Sequence, residues 1–92
     1  MAARDQVVAL DGLISGISRL SRAFAEIVRE QRGRKGLSQE ALAAAARIHH
    51  TYVGLLERGK RISTMQVAER IANALDRKLS SLIEEAERRS HR

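Results

Sequence analysis

The stretch that most constrains the fold of this chain runs from residue 37 to residue 59 and reads LSQEALAAAARIHHTYVGLLERG. It contains two amphipathic runs, separated by a short interruption with two adjacent histidines. Ser38 can cap a helix over about residues 39–45, and Gly59 suits the left-handed residue that ends a second helix over about residues 49–58. The stretch therefore predicts two short helices packed at a fixed angle around a tight turn.

The rest of the chain also favours helix. It has no proline, 43% apolar residues and only 2% aromatic residues, which leaves little material for a sheet. Before the central stretch, apolar residues recur at helical spacing from about residue 5 to residue 32, with a break predicted near residues 18–21.

Two further helices are predicted after the central stretch. Ser63 and Gln66 have the spacing of a capping box, which predicts the start of a helix there. The first of the two helices is predicted to bury Ala68, Ile71, Ala72 and Leu75, and the apolar residues Leu79, Leu82, Ile83 and Ala86 line the second. We therefore predict an all-α fold with five helices over residues 19–92, preceded by an amphipathic helical extension over residues 1–18.

The composition excludes several classes of site. From 92 residues we expect one domain and no second, ligand-binding domain. It has no cysteine, and its three histidines, His49, His50 and His91, lack metal-ligand spacing, so we expect no metal and no cofactor. We find no paired acid and base and no nucleophile triad, so we expect no enzyme.

Charge and hydropathy favour a soluble protein with a polyanionic partner. No run approaches the length of a membrane span, and the charged start MAARDQ is unlike a signal peptide, so we expect a cytoplasmic location without membrane attachment. The net charge is +6, and nine basic but only four acidic side chains lie between residues 22 and 61. This distribution favours a polyanion, although charge alone leaves DNA, RNA and acidic membranes open.

Residues 22–83 resemble the phage-repressor and Cro-like (XRE-type) family of helix-turn-helix DNA-binding proteins. The matching residues are Leu37, Ser38, Gln39, Glu40, Leu42, Ala43, Ile48, Val53, Leu56, Glu57, Arg58, Gly59, Lys60, Met65, Ala68, Ile71, Ala72, Ala74, Leu75, Leu79 and Leu82. The resemblance implies a five-helix, phage-repressor-like domain that binds double-stranded operator DNA and regulates transcription. Three positions depart from the family pattern: Arg47 replaces a turn glycine, His49 a serine cap, and Asp76 a small residue that ends the fourth helix.

The resemblance also implies the roles of individual residues, with the start of the third helix in the major groove. The base-contacting residues would be His49, His50, Thr51, Gly54 and Leu55. The phosphate-contacting residues would be Ser38, Gln39, Tyr52, Arg58, Lys60 and Arg61. A largely buried ion pair is expected between Arg32 and Glu57. A plainer interpretation stays open, in which the two histidines are solvated turn residues and the cations form a solvated rim.

The regulatory mode has two alternatives. Repression is expected, because it needs only occupancy of the operator. The competing hypothesis is a protein-interaction module, such as an antitoxin-like protein, with a toxin or polymerase as partner.

Apolar residues outside the predicted core indicate an oligomer. They precede the family domain at Leu10, Leu13, Ile14 and Ile17, and close it at Leu82, Ile83 and Ala86. A monomer would expose at least one of these rows, so we predict a homodimer on a pseudo-palindromic operator. The alternative is intramolecular, with the N-terminal run folded back over the last helix of its own chain.

Overall fold

The computed structural model describes residues 18–91, which form five α-helices joined by short turns. The helices are α1 (Arg19–Arg34), α2 (Gln39–Ala46), α3 (His50–Glu57), α4 (Met65–Ala74) and α5 (Leu79–Ser90). No strand occurs within this part of the chain, and the predicted five-helix, all-α fold is confirmed. The predicted N-terminal extension lies outside the described residues, apart from Ser18.

Hydroxyl side chains cap three of the helices. Ser18 Oγ accepts from the Ser21 amide at 3.2 Å, and Ser38 Oγ accepts from the Ala41 amide at 3.0 Å. Ser18 has an extended backbone with ψ 163°, so α1 begins within the predicted break. Each cap satisfies one amide that the helix itself leaves unpaired.

The predicted cap of α4 is wrong by one residue. Thr64, and not Ser63, is the cap, since Thr64 Oγ1 accepts from the Val67 amide at 3.1 Å. Ser63 instead donates its hydroxyl to the Thr64 carbonyl at 2.9 Å. Serine and threonine both cap helices, and the start of the helix at Met65 makes Thr64 the capping residue although only Ser63 has a glutamine three residues on.

A single core lies between the five helices. α1 packs against α5 and α3, while α2 packs against α3 and α4. The largest fully buried side chains are Ile27, Val28, Leu42, Val53, Leu56, Ile71 and Leu82. Because α2 presents the buried alanines Ala43 and Ala46 to this core, its backbone approaches α3 closely.

The apolar row expected to be left over on the last helix is smaller than predicted. Leu82 and Ala86 are fully buried in the core, and only Ile83 is partly exposed. These two residues are therefore not free for a subunit interface. The reason is that the apolar stripe of α5 packs against α1, although the two helices are far apart in the sequence.

A cluster of ion pairs around Arg89 joins the end of α5 to α1. Arg89 donates to Glu30 through Nη1 at 2.8 Å and through Nη2 at 2.6 Å, and to Glu85 at 3.0 Å. Its Nη1 also lies 3.5 Å from a Glu26 oxygen. The hydrogen bonds with Glu30 raise the pKa of Arg89, which stays charged. Nothing in the sequence predicts this cluster, because Arg89 and Glu30 are 59 residues apart.

Arg47 and Asp76, two of the positions that depart from the family pattern, adopt the left-handed backbone conformation. Arg47 ends α2 with φ 60° and ψ 46°, and Asp76 follows α4 with φ 56°. The Arg47 conformation lets the amide of Ile48 donate to Ala43 O at 3.0 Å, which closes the turn between α2 and α3. Side chains with a Cβ occupy this region at a cost of roughly 1–2 kcal/mol.

Arg47→Gly should therefore raise the free energy of unfolding by about 0.5–1 kcal/mol, because relief of backbone strain outweighs the added entropy of the unfolded chain. Urea denaturation followed by circular dichroism measures this change. Arg47→Ala is the matched control, since it removes the same side chain but keeps the Cβ, and it should show no gain. Equal gains in both variants would place the effect in the arginine side chain and not in the backbone.

Candidate nucleic-acid interface

Helices α2 and α3 form a helix-turn-helix whose turn consists of residues 47–49. Val53 and Leu56 are fully buried on one face of α3, and Ile48 packs against the same core from the turn. The opposite face of α3 is solvent-facing at its start, where His50 and Thr51 are exposed. Burial of one face thus fixes which side chains α3 presents to a partner.

The start of α3 is capped by a histidine. His49 Nδ1 accepts from the Thr51 amide at 3.1 Å. The imidazoles of His49 and His50 stack, with ring centroids 4.6 Å apart and planes inclined by 26°. The imidazole of His49 therefore makes the capping hydrogen bond that a serine makes in the family pattern.

The two other residues predicted to contact bases lie deeper than the histidines. Leu55 is half-buried. Gly54 is buried, and a Cβ at this position would lie 3.4 Å from both Gln39 Oε1 and Arg58 Nη1. Gly54 therefore lies beneath two side chains that themselves are predicted to contact phosphates. A base contact by its backbone would require Gln39 and Arg58 to move, so this role stays a prediction.

Exposed cations follow α3. Arg58, Lys60 and Arg61 all face solvent in the segment after the helix. Gly59, at φ +70°, turns the chain there, and the Lys60 amide donates to Leu55 O at 2.8 Å. The left-handed C-terminal turn predicted at Gly59 is thus present, and it holds the cationic segment next to the end of α3.

Tyr52 is tied to the same segment. Its hydroxyl donates to Ile62 O at 3.2 Å, and the Arg61 guanidinium lies 5.1 Å from the centroid of its ring. A phenol has only one proton to donate. The predicted phosphate contact of Tyr52 would have to replace the bond to Ile62, whereas the observed geometry orders the segment that carries Arg61.

An ion pair lies behind this surface. Arg32 Nε donates to Glu57 Oε2 at 2.7 Å and Arg32 Nη2 donates to Glu57 Oε1 at 3.0 Å. Arg32 Nη1 also donates to Leu37 O at 2.8 Å, which joins the loop before α2 to the pair. The Glu57 side chain is only 2% exposed and that of Arg32 18%. The hydrogen bond to Glu57 raises the pKa of Arg32, so the guanidinium of Arg32 stays charged.

The start of α2 is connected to this pair. Gln39 Nε2 donates to Glu57 Oε1 at 3.1 Å, so one of its two amide protons is used and the other is available. Ser38 Oγ accepts the Ala41 amide as a cap, which leaves its hydroxyl proton available. Ser38 and Gln39, which are predicted to contact phosphate, thus each keep one donor proton. Their positions are fixed by the cap of α2 and by the bond to Glu57.

Residues 18–91 show neither a cluster of metal ligands nor a membrane-spanning helix. They contain no group of three His, Cys, Asp or Glu side chains that could hold a metal ion. None of the five helices is both long and apolar enough to cross a bilayer.

The helix-turn-helix family model matches residues 28–82, which include α2, α3 and their turn. The chain belongs to the XRE-type helix-turn-helix family, whose members are DNA-binding transcriptional regulators. The predicted family is thereby confirmed.

Known regulators are similar to this chain in sequence or in structure. The chain is 36% identical over 64 residues to the control protein C.SmaI of Serratia marcescens, a match that covers 70% of this chain and 76% of that protein. It superposes on the restriction-modification controller protein C.AhdI of Aeromonas hydrophila with a TM-score of 0.65 and 39% identity, over 67% of this chain and 94% of that one. The clp gene regulator ClgR of Corynebacterium glutamicum gives a TM-score of 0.73 and 26% identity, over 78% and 77% of the two chains.

Proposed function

We propose that the protein is a cytoplasmic repressor that binds a specific pseudo-palindromic operator as a homodimer, with the start of α3 in the major groove. One observation carries this proposal: α3 buries Val53 and Leu56 and presents His50 and Thr51 to solvent at its first turn. A short helix held by its neighbour in this way is the element that such domains insert into the groove.

The polar surroundings of α3 support the same assignment. His50 and Thr51 can read base edges by hydrogen bonds, and Leu55 can cover a thymine methyl group. Ser38 and Gln39 on one side and the cations Arg58, Lys60 and Arg61 on the other suit phosphate oxygens. Occupancy of an operator by such a surface is sufficient for repression.

Selection of bound sequences from random duplex DNA tests the proposal. We expect one enriched motif with two inverted half-sites about 10–10.5 base pairs apart between centres. His50→Ala should change the base preferred at one position of each half-site, whereas Arg61→Ala should weaken all sequences about equally. Absence of any enriched motif would reject sequence-specific binding.

An apolar groove supports the homodimer. It has a volume of about 350 Å³, and Leu20, Phe24, Met65 and Ile83 contribute its apolar walls. Met65 is 82% exposed and Leu20 39% exposed, so an isolated subunit leaves a contiguous apolar surface in water. A second copy of the chain would cover the groove by two-fold symmetry.

Met65→Glu should shift the protein to monomer at micromolar concentration, because dimer formation would then bury a carboxylate against apolar side chains. Sedimentation velocity measures the change. Met65 is the first residue of α4, where an acidic side chain suits the helix dipole, so the fold should persist. Gln66→Glu is the matched control, since it adds the same charge beside the groove, and it should remain dimeric. A dimer that survives Met65→Glu but is lost on removal of residues 1–17 would place the interface in the N-terminal extension.

The same groove favours the alternative of a protein-interaction module. If a protein partner and not DNA were the target, replacing Arg58, Lys60 and Arg61 together with alanine would leave partner binding intact. Met65→Glu would abolish it. The operator proposal predicts that the triple variant loses DNA binding, because these three residues supply the cationic phosphate contacts.

Gly54→Ala should separate folding from DNA binding. An added Cβ would meet Gln39 and Arg58 only at van der Waals distance, and alanine favours helix over glycine by about 0.5–1 kcal/mol, so the melting temperature should rise or stay constant. DNA affinity should fall if the major groove of the DNA approaches the backbone of α3 closely. Thermal denaturation and titration of the selected operator measure the two quantities. Undiminished affinity would remove Gly54 from the contact surface.

A further inference from the structure

His49 has one ring nitrogen committed to the backbone. Its Nδ1 accepts the Thr51 amide at 3.1 Å. A nitrogen that accepts an N–H carries no proton of its own, so the neutral imidazole holds its proton on Nε2. The cap at the start of α3 therefore also fixes the tautomer of this side chain.

The second nitrogen of His49 faces outward. Nδ1 and Nε2 are separated by one ring carbon, so their hydrogen-bonding directions diverge, and with Nδ1 against the backbone Nε2–H is directed away from it. His49 is exposed, and within residues 18–91 its Nε2 has no hydrogen-bond acceptor. The His50 ring, stacked at 4.6 Å, restricts rotation of the His49 ring. The result is an oriented donor beside the first turn of α3.

His50 differs from His49 in this respect. In the described part of the chain neither of its ring nitrogens forms a hydrogen bond. Its proton can therefore reside on either nitrogen, and the ring can donate or accept as a partner requires. The two adjacent histidines thus offer different chemistry to DNA.

We propose that His49 reads the operator as a hydrogen-bond donor only, through Nε2, and so selects a base with a major-groove acceptor. This inference rests on the proposed function. Guanine offers N7 and O6, adenine N7 and thymine O4, whereas cytosine presents only its amino group, a donor. The half-site position that faces His49 therefore excludes cytosine and favours guanine, whose two acceptors are adjacent. The position that faces His50 carries no such exclusion.

Methylation of a single nitrogen tests the assignment atom by atom. A chain of 92 residues can be made by chemical synthesis, with methylhistidine at position 49. A methyl group on Nε2 removes the donor and leaves Nδ1 free to cap α3. A methyl group on Nδ1 removes the cap instead. The matched control carries the Nε2 methyl group at position 50.

We expect the Nε2-methylated protein to melt at the same temperature as the unmodified protein, and its discrimination against cytosine at one position per half-site to fall about tenfold. The Nδ1-methylated protein should melt at a lower temperature, because its cap is lost. The control should keep the discrimination at the position read by His49. Binding is measured on duplexes selected from random DNA with the unmodified protein.

Two results would overturn the inference while leaving the proposed function intact. One is unchanged discrimination after Nε2 methylation at position 49, and the other is an unchanged melting temperature after Nδ1 methylation. If the unmodified protein selects no sequence at all, the proposed function fails, and donor readout by His49 fails with it. The enrichment obtained with the unmodified protein thus distinguishes the two kinds of failure.

Discussion

Glu57→Gln is expected to lower the free energy of unfolding by about 3–5 kcal/mol. The carboxylate accepts two hydrogen bonds from Arg32, at 2.7 Å and 3.0 Å, and a third from Gln39 at 3.1 Å. Because the Glu57 side chain is only 2% exposed, removal of its charge leaves the Arg32 guanidinium poorly compensated in a largely buried place. Small domains are stable by only about 5–15 kcal/mol, so the variant should unfold at a much lower urea concentration.

Two further variants show where this cost arises. Replacing both partners, Arg32→Met with Glu57→Leu, should cost far less than Glu57→Gln alone, since no charge is then stranded. Glu84→Gln breaks the exposed pair between Glu84 and Arg88 and should leave the urea midpoint unchanged, because water already solvates both groups. A Glu57→Gln protein that melts like the unmodified chain would show that the buried pair contributes little to stability.

The helices could be predicted from the sequence because their signals are local. Apolar spacing, the Ser38 cap and the left-handed glycine at position 59 each act within one or two helical turns. The left-handed backbone at Arg47 was indicated by the family pattern alone, since arginine has no preference for that conformation.

Features that depend on tertiary packing could not be predicted in this way. Burial of Leu82 and Ala86 follows from the position of α5 along α1, and the bonds of Arg89 to Glu30 join residues from opposite ends of the described chain. Hydropathy identifies an apolar stripe but does not say which helix covers it.

The candidate site shows the same division. The resemblance indicated which residues surround α3, but not how their donors are used. Gly54 lies beneath Gln39 and Arg58, and the Tyr52 hydroxyl donates its proton to Ile62 O. The residue types alone indicate neither arrangement. The base and phosphate roles themselves remain predictions, because they depend on a DNA partner and not on the fold of the free chain.

The strength of DNA binding should depend steeply on salt. If each subunit neutralises about three phosphates, a dimer should lose roughly five to six powers of ten in affinity per tenfold rise in salt concentration, because bound cations displace the counterions of DNA. Arg58, Lys60 and Arg61 are exposed and supply three such charges next to α3. Fluorescence anisotropy of a labelled operator over a series of salt concentrations gives the slope. Retained affinity with a slope near zero would contradict the phosphate assignments.

The net charge of +6 could itself attract DNA, so a charge-matched control is needed. Arg61→Ala should reduce the magnitude of the slope by about two for a dimer, one contact being lost from each subunit. Arg88→Ala removes the same charge from α5, which packs on α1 and α4, and it should leave the slope unchanged. Equal reductions in both variants would mean that overall charge, and not contacts beside α3, holds the DNA. A reduction confined to Arg61→Ala would place the phosphate backbone against the segment that Tyr52 orders.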